Sequence, residues 1–195
     1  MLEAATPEWF IDSCKKIKYM FPRAHAAAYV MMAFRIAYFK VHYPAAFYAT
    51  YFSVRSDTFD AITCQGGLKK VTAQLKELLR KKPHELNVKQ KELITILEVV
   101  MEMNLRGIVL LPVDVYKSDA ARFKIEGNAL RPAINALSGV GTVAAENIVA
   151  ARSDGPFLSN EDFQRRAKVS SAVIATLRDA GAIEALPETD QLSMF

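Results

Sequence analysis

Leu130–Arg152 reads LRPAINALSGVGTVAAENIVAAR, and in this one stretch turn chemistry, helical periodicity and a binding geometry coincide. Pro132 suits the first turn of a helix, where a missing N–H costs nothing, and Ile134 and Leu137 give that short helix an apolar edge. Gly139 and Gly141 then break it. With only Val140 between them, both glycines can take positive φ and let a ligand approach the backbone, while Val140 can point back between the flanking helices. Ala144 with Ile148, and Ala145 with Val149, fall at i, i+4 and begin a second helix whose small residues permit close packing. The expected product is a helix, a G-V-G hairpin and a helix whose free N-terminal N–H groups face outward at the hairpin, a geometry suited to a phosphate. Taken alone, the same turn also fits a tight connection in a helical bundle.

The pattern repeats downstream. Gly155-Pro156 marks a turn, and Ser159 can cap a helix with Glu161 and Asp162 in its first turn. Lys168-Val169-Ser170 then replaces G-V-G, and Val173, Ile174 and Leu177 continue a second helix to a Gly181 C-cap. Two such hairpins back to back form a compact four-helix unit. The first copy resembles the helix-hairpin-helix motif of proteins that bind DNA without sequence preference, joining hydrophobic-x-Gly-hydrophobic-Gly to an Ala-rich helix that ends in Ile148, Val149 and Arg152. The second copy departs from the motif at Lys168 and Ser170, which makes it either a packing partner or a contact made by side chains. In this resemblance Ser138, Gly139, Val140, Gly141 and Thr142, with Lys168 and Ser170, are the DNA-binding candidates.

Upstream the chain reads as helices. Thr6-Pro7-Glu8 predicts an N-cap, a proline at N1 and an acid in the first turn, opening a helix that carries Trp9, Phe10, Cys14 and Ile17 and ends near Phe21-Pro22. A second helix runs from about His25 to His42, apolar nearly all round, so it is expected to be buried on most sides. Pro44 closes it and starts a third, Ala45 to Val54, whose Phe47, Tyr48, Tyr51 and Phe52 read as core. After Gly66-Gly67, Leu68, Val71, Leu75, Leu78 and Leu79 form one stripe ringed by Lys69, Lys70, Lys76, Arg80, Lys81 and Lys82, and Pro83 stops that helix. Asn87 with Gln90 is a capping-box variant for the next, whose stripe is Leu93, Ile94, Leu97, Val100 and Met101. These two helices are expected to pack as a pair. From Ile108 to Ile125 β-branched and alternating residues predict two or three short strands, including Val113 to Tyr116.

The fold class is therefore mainly α with a small β element: a helical segment over residues 1–60, a helical pair and β connection over 61–129, a tandem hairpin module over 130–184 and an extended C-terminal tail over 185–195. A hydrophobic fraction of 51% is ample for a core, so disorder is not expected. The net charge of +4 permits a polyanionic partner without requiring one, and its distribution says more. Residues 7–57 and 66–107 each carry +4, whereas 130–181 carries only +1, so DNA binding by the hairpins would rest on backbone N–H groups. Cys14 and Cys64 have no metal-ligand spacing, which favours a reduced, cytoplasmic setting. No secretory signal is read at the start, and Ala24–Val41 contains Arg35 and Lys40, so a buried soluble helix is expected over a membrane span. No acid/base dyad, nucleophile, metal cluster or Walker-type loop is visible, so no catalytic or metal-binding residue is expected here.

Lys15–Pro44, KKIKYMFPRAHAAAYVMMAFRIAYFKVHYP, resembles the fingers of bacterial replicative DNA polymerase III alpha subunits, in particular the PolC type. The resemblance continues through DVYKSDAARFKIEGNALRP, the paired hairpins and the terminal QLSMF, so it covers nearly the whole chain. It implies the C-terminal piece of a DNA-directed DNA polymerase, with the palm and its catalytic aspartates, the exonuclease and an N-terminal nucleic-acid-binding domain lying upstream of Met1. The piece alone should incorporate no nucleotide, and magnesium is implied for the whole enzyme. Lys15, Lys18, Arg23, His25 and Tyr29 match the neighbourhood that holds the incoming deoxynucleoside triphosphate; cations at a helix start can meet its oxygens, although His25 as a cap and Tyr29 as core fit equally. The hairpins would hold the primer-template duplex by its backbone, with a monovalent cation as an occasional helper.

The last five residues, Gln191, Leu192, Ser193, Met194 and Phe195, resemble the pentapeptide by which partners bind the bacterial sliding clamp, with Met194 in place of the usual leucine, a change an apolar pocket tolerates. The acidic, proline-containing lead from Ala185 to Asp190 is expected to keep this peptide off its own domain. Two rivals fit parts of the pattern: a free-standing clamp-tethered DNA-binding module, and a repair glycosylase or nuclease with the same hairpins. A glycosylase would need an acid in a base-flipping pocket, and no such pocket is read. Paired aspartates encoded upstream of Met1 would favour the polymerase over the free-standing module.

Overall fold

The computed structural model describes residues 6–17, 22–183 and 186–189. Lys18 and Gln191–Phe195 lie outside the described residues. The chain divides into two units, residues 1–42 and 43–195.

The first unit holds α1 (Glu8–Lys16) and α2 (Arg23–His42). Pro7, not Thr6, is the N-cap residue of α1, and no side chain caps it. The helix stops at Lys16, ahead of the expected Phe21-Pro22, with Ile17 already extended at ψ 103°. In α2 the long apolar run does form one helix, but none of its twenty residues is buried. Phe34 is 73% exposed and Val41 64%, so the expectation of a helix buried on most sides is overturned. Its apolar residues circle the helix without a dominant side, so burial would take neighbours on several faces.

The second unit begins with α3 (Pro44–Ser53), where Pro44 sits at N1 and Tyr48, Ala49 and Phe52 turn inward. Phe52, Phe59 and Phe123 meet in pairs 5.0–5.5 Å apart between ring centroids, and all three are buried. After the short α4 (Ala61–Cys64), capped by Asp60, come α5 (Gly67–Arg80) and α6 (Val88–Leu105), which pack against each other as a pair. Val71, Leu75 and Leu78 of α5 and Ile96, Leu97, Val100 and Met103 of α6 are the buried positions. Leu79, expected in the α5 stripe, is 58% exposed, and the α6 seam has turned toward Ile96 and Met103. The capping box of α6 is complete: Asn87 Oδ1 accepts from Gln90 N at 2.8 Å and Gln90 Oε1 accepts from Asn87 N at 3.2 Å.

Three short strands follow, β1 (Val109–Leu110), β2 (Lys124–Glu126) and β3 (Ala129–Arg131), in the order β1-β3-β2. Leu110 pairs with Leu130 in parallel, and Ile125 pairs with Leu130 in the antiparallel β2–β3 hairpin. That hairpin turns on Gly127, whose φ of 61° is what a two-residue turn opening on glycine requires. No strand forms over Val113–Tyr116; Asp114 Oδ1 accepts from the N–H groups of Tyr116 and Lys117 and bends the chain, while Val113 and Val115 are buried. The unit closes with α7 (Thr142–Ala151), α8 (Asn160–Ala167) and α9 (Ser171–Asp179).

Candidate nucleic-acid interface

The helix expected ahead of the G-V-G turn is reduced to one 3₁₀ turn, Ile134–Ala136, because its neighbours' backbone groups are committed elsewhere. Ala129–Arg131 belongs to the central strand, and the N–H groups of Ile134 and Asn135 donate to Asp119 O and Ala120 O. Beyond it Val140 N donates to Leu137 O at 3.0 Å, closing the turn. Gly139 takes φ 94° and Val140 is buried at 4% exposure, as the sequence predicts. Gly141 does not take positive φ; at φ −72° and ψ 158° it is the extended N-cap of α7, with no side chain to satisfy the helix. Ala145 N is the first donor returned into α7, so among the described residues the N–H groups of Gly141, Thr142, Val143 and Ala144 have no partner. Ser138, Gly139, Gly141 and Thr142 are exposed around them.

The second hairpin reproduces this path with different residues. Lys168 ends α8 at φ 51°, the only described residue other than glycine with positive φ, and Val169 behind it is buried. Ser170 sits at φ −79° and ψ 159°, matching Gly141, and its Oγ accepts from Val173 N. Lys168 and Ser170 are both exposed. Glycine at the first hairpin thus leaves N–H groups open where serine at the second fills one of them.

Three arginines of this region point inward. Arg131 binds both oxygens of Glu126 and Pro112 O, which holds the Glu126 carboxyl below the usual range. Arg152 donates to Val115 O and Ser118 O, each at 2.6 Å, and its burial lowers its pKa. Arg166 reaches Ala151 O, Gly155 O and Pro156 O, tying the end of α7 to α8. Asp162 receives Arg165, Arg166 and Leu158 N; burial pushes its pKa up, but these bonds outweigh it and hold the carboxyl low. The outward cations of the two hairpins are few, so their exposed chemistry is chiefly backbone.

Asn135 is a participant that sequence reasoning missed. Its Nδ2 donates to Ser56 Oγ at 3.0 Å and to Thr142 Oγ1 at 3.2 Å, joining the hairpin to the segment after α3, and its buried Oδ1 has no partner among the described residues. The available signal was an amide inside an apolar run, Ile134-Asn135-Ala136-Leu137.

In the first unit, His25 and Tyr29 meet edge to face at 4.5 Å between ring centroids, one turn apart near the start of α2, where Arg23 is the first residue. Tyr29 is 66% exposed and is not core. Lys15, near the end of α1, pairs with Asp12 at 3.2 Å on an exposed face.

Residues 187 and 188 of the lead to the tail are docked on α8, while the peptide the lead is expected to hold off, Gln191–Phe195, lies outside the described residues. Pro187 O and Glu188 O accept from Asn160 N and Glu161 N at 2.9 and 3.1 Å, and Glu188 Oε1 accepts from Asn160 Nδ2. Two N–H groups at the start of α8 that have no partner within the helix are thereby satisfied. Among the described residues no cluster of histidine, cysteine, aspartate or glutamate could hold a metal ion, and no helix is long and apolar enough to cross a membrane.

A family model described as a helix-hairpin-helix motif matches residues 107–192, which includes both hairpins. Curated relatives align along the chain. A protein named DNA polymerase III PolC-type from Listeria welshimeri is 53% identical over 195 residues, covering 100% of this chain and 13% of the relative. Its namesake from Clostridium perfringens is 52% identical with the same coverage, and that from Bacillus subtilis is 51% identical over 189 residues, 97% of this chain and 13% of the relative. The chain thus spans about 13% of the length of the relatives it matches.

Proposed function

Because the chain is related along its whole length to PolC-type DNA polymerase III, we propose that it is the C-terminal piece of such a replicative polymerase, holding duplex DNA behind the active site and tethering the enzyme to the sliding clamp. The observation that carries the DNA-binding part is the repeated turn: a left-handed residue, a buried valine and an extended N-cap ahead of a helix, at Gly139-Val140-Gly141 and again at Lys168-Val169-Ser170. Unbonded N–H groups at the start of α7, with the positive end of the helix behind them, suit a phosphate oxygen. Backbone donors read no base, so binding is without sequence preference. Ser138 and Thr142 flank the first turn and Lys168 and Ser170 the second, giving hydroxyl and ammonium donors to the same backbone. A monovalent cation at the hairpin would assist by bridging turn and phosphate.

Arg23, His25 and Tyr29, with Lys15 and Lys18, are proposed to meet the incoming deoxynucleoside triphosphate in the whole enzyme. Support comes from the exposed His25–Tyr29 pair beside the start of α2. Magnesium, which a polymerase of this kind would need, finds no set of carboxylates among the described residues, so no step through it involves them. Gln191–Phe195 are proposed as the clamp-binding peptide, entering an apolar cleft with Leu192, Met194 and Phe195 and ordering on binding.

The deciding experiment is a titration of labelled duplexes of unrelated sequence with the chain and with a Gly139→Ala variant. Weak binding, equal across sequences and reduced by the substitution, is expected. Strong preference for one sequence, or primer extension by the chain alone, overturns the reading.

A further inference from the structure

We propose that the turn between α5 and α6 is a second contact for the duplex backbone, providing the side-chain charge that the hairpins lack; this rests on the hairpins being duplex-binding. Residues 66–91 hold eight basic and two acidic residues. Arg80, Lys81, Lys82, Lys89 and Lys91 gather where α5 ends and α6 begins, all exposed, and among the described residues no ion pair holds any of them. Of the nearby acids, Glu85 is engaged within the turn, where its Oε2 accepts from Lys82 N at 3.0 Å.

The placement of some of these cations runs against stability, although Arg80 and Lys81 suit the C-terminal end of α5. Lys89 and Lys91 stand in the first turn of α6, which has no acid, and Lys69 and Lys70 open α5 in the same way. The positive end of a helix disfavours cations, and the capping box completes α6 without them. Cations kept at that cost are explained by an anion that neutralises them.

Position favours DNA over other polyanions. Lys89 and Asn87 share a cleft with Ser138 of the first hairpin, so the basic turn and the G-V-G turn border the same opening. Asp57, Asp60 and Glu92 also line that cleft, which makes it a poor anion pocket; the phosphates would run past its rim, from the free N–H groups of α7 to the lysines. Arg131, Arg152 and Arg166 are turned inward and cannot supply this charge.

The test is duplex binding by the whole chain over a potassium chloride series, comparing the parent with Lys81→Gln, Lys82→Gln, Lys89→Gln and Lys91→Gln combined. Each lost phosphate contact should flatten the slope of log affinity against log salt by about 0.9, and affinity at low salt should fall about tenfold or more. Arginine at the same four positions should restore both. The glutamine variant should melt close to the parent, because losing Lys81 at the C-terminal end of α5 is offset by losing Lys89 and Lys91, which oppose the α6 dipole; the two halves, made separately, serve if the combined variant does not fold. Unchanged slope and affinity, with Gly139→Ala still weakening binding, overturn this proposal alone. A parent that binds no duplex at any salt overturns it together with the hairpin reading. Loss of binding to an acidic polypeptide, with duplex binding intact, overturns it in favour of a protein partner.

Discussion

Gly139, Gly141 and Lys168 look alike in a sequence pattern and differ physically. Gly139 holds φ 94°, and a methyl built on it would meet only Thr176 Oγ1 at 3.7 Å, so strain rather than crowding resists substitution. Gly139→Ala should therefore destabilise the chain by about 1–2 kcal/mol in urea unfolding. Gly141 has ordinary φ and open space around it, so Gly141→Ala should leave stability within about 0.5 kcal/mol and act on DNA affinity alone. Lys168 carries the left-handed strain that glycine avoids, and Lys168→Gly should stabilise by on the order of 1 kcal/mol in the same assay. Asp162 sets a pH dependence. Its carboxyl is held below the ordinary range, so its stabilisation is whole above the unfolded value near pH 4 and is lost as pH falls through the lower folded one. Melting temperature against pH should fall over that acid range in the parent, and Asp162→Asn should flatten this part of the curve.

At the scale of elements, α2 carries the sharpest difference between pattern and structure. A twenty-residue helix rich in Tyr29, Met31, Phe34, Phe39 and Val41 leaves all of them more than half exposed. Such an apolar surface on an isolated chain drives association. The purified chain should self-associate in light scattering, and Phe34→Ser with Val41→Ser should shift it toward monomer; a monodisperse parent monomer would contradict this. The α8 N-terminus shows the reverse case, an element whose end is completed by chain from elsewhere, since Pro187 and Glu188 cap it.

At the scale of the molecule, residues 187–188 dock on the N-terminus of α8, one short helix away from the Lys168–Ser170 turn at its other end, so the proposed DNA and clamp contacts would originate on the same hairpin unit. Each site held would raise the local concentration of the other, making a weak peptide and a weak hairpin cooperate on DNA threaded through the clamp. Deleting Met194 and Phe195 should abolish binding to purified clamp while duplex affinity and melting temperature stay as in the parent. A truncated chain that bound the clamp with unchanged affinity would show that the tail is not the tether.

What the sequence determined by itself is what depends on a few adjacent residues. The Asn87–Gln90 capping box, the Ser159 cap and the buried Val140 follow from bonds spanning three or four positions or from one side chain's shape. The mainly α class and the small β element were legible for the same reason. Only the tertiary structure decided which arginines turn inward, because their acceptors Pro112 O, Val115 O and Ala151 O lie 15 to 37 positions away. The shortened first hairpin helix belongs here too, since Asp119 O, Ala120 O and the paired strands take up the backbone that a local reading assigned to a helix. A propensity acts within one turn of chain, whereas a hydrogen-bond partner brought from across the fold can outbid it, and nothing in the local window records that such a partner will arrive.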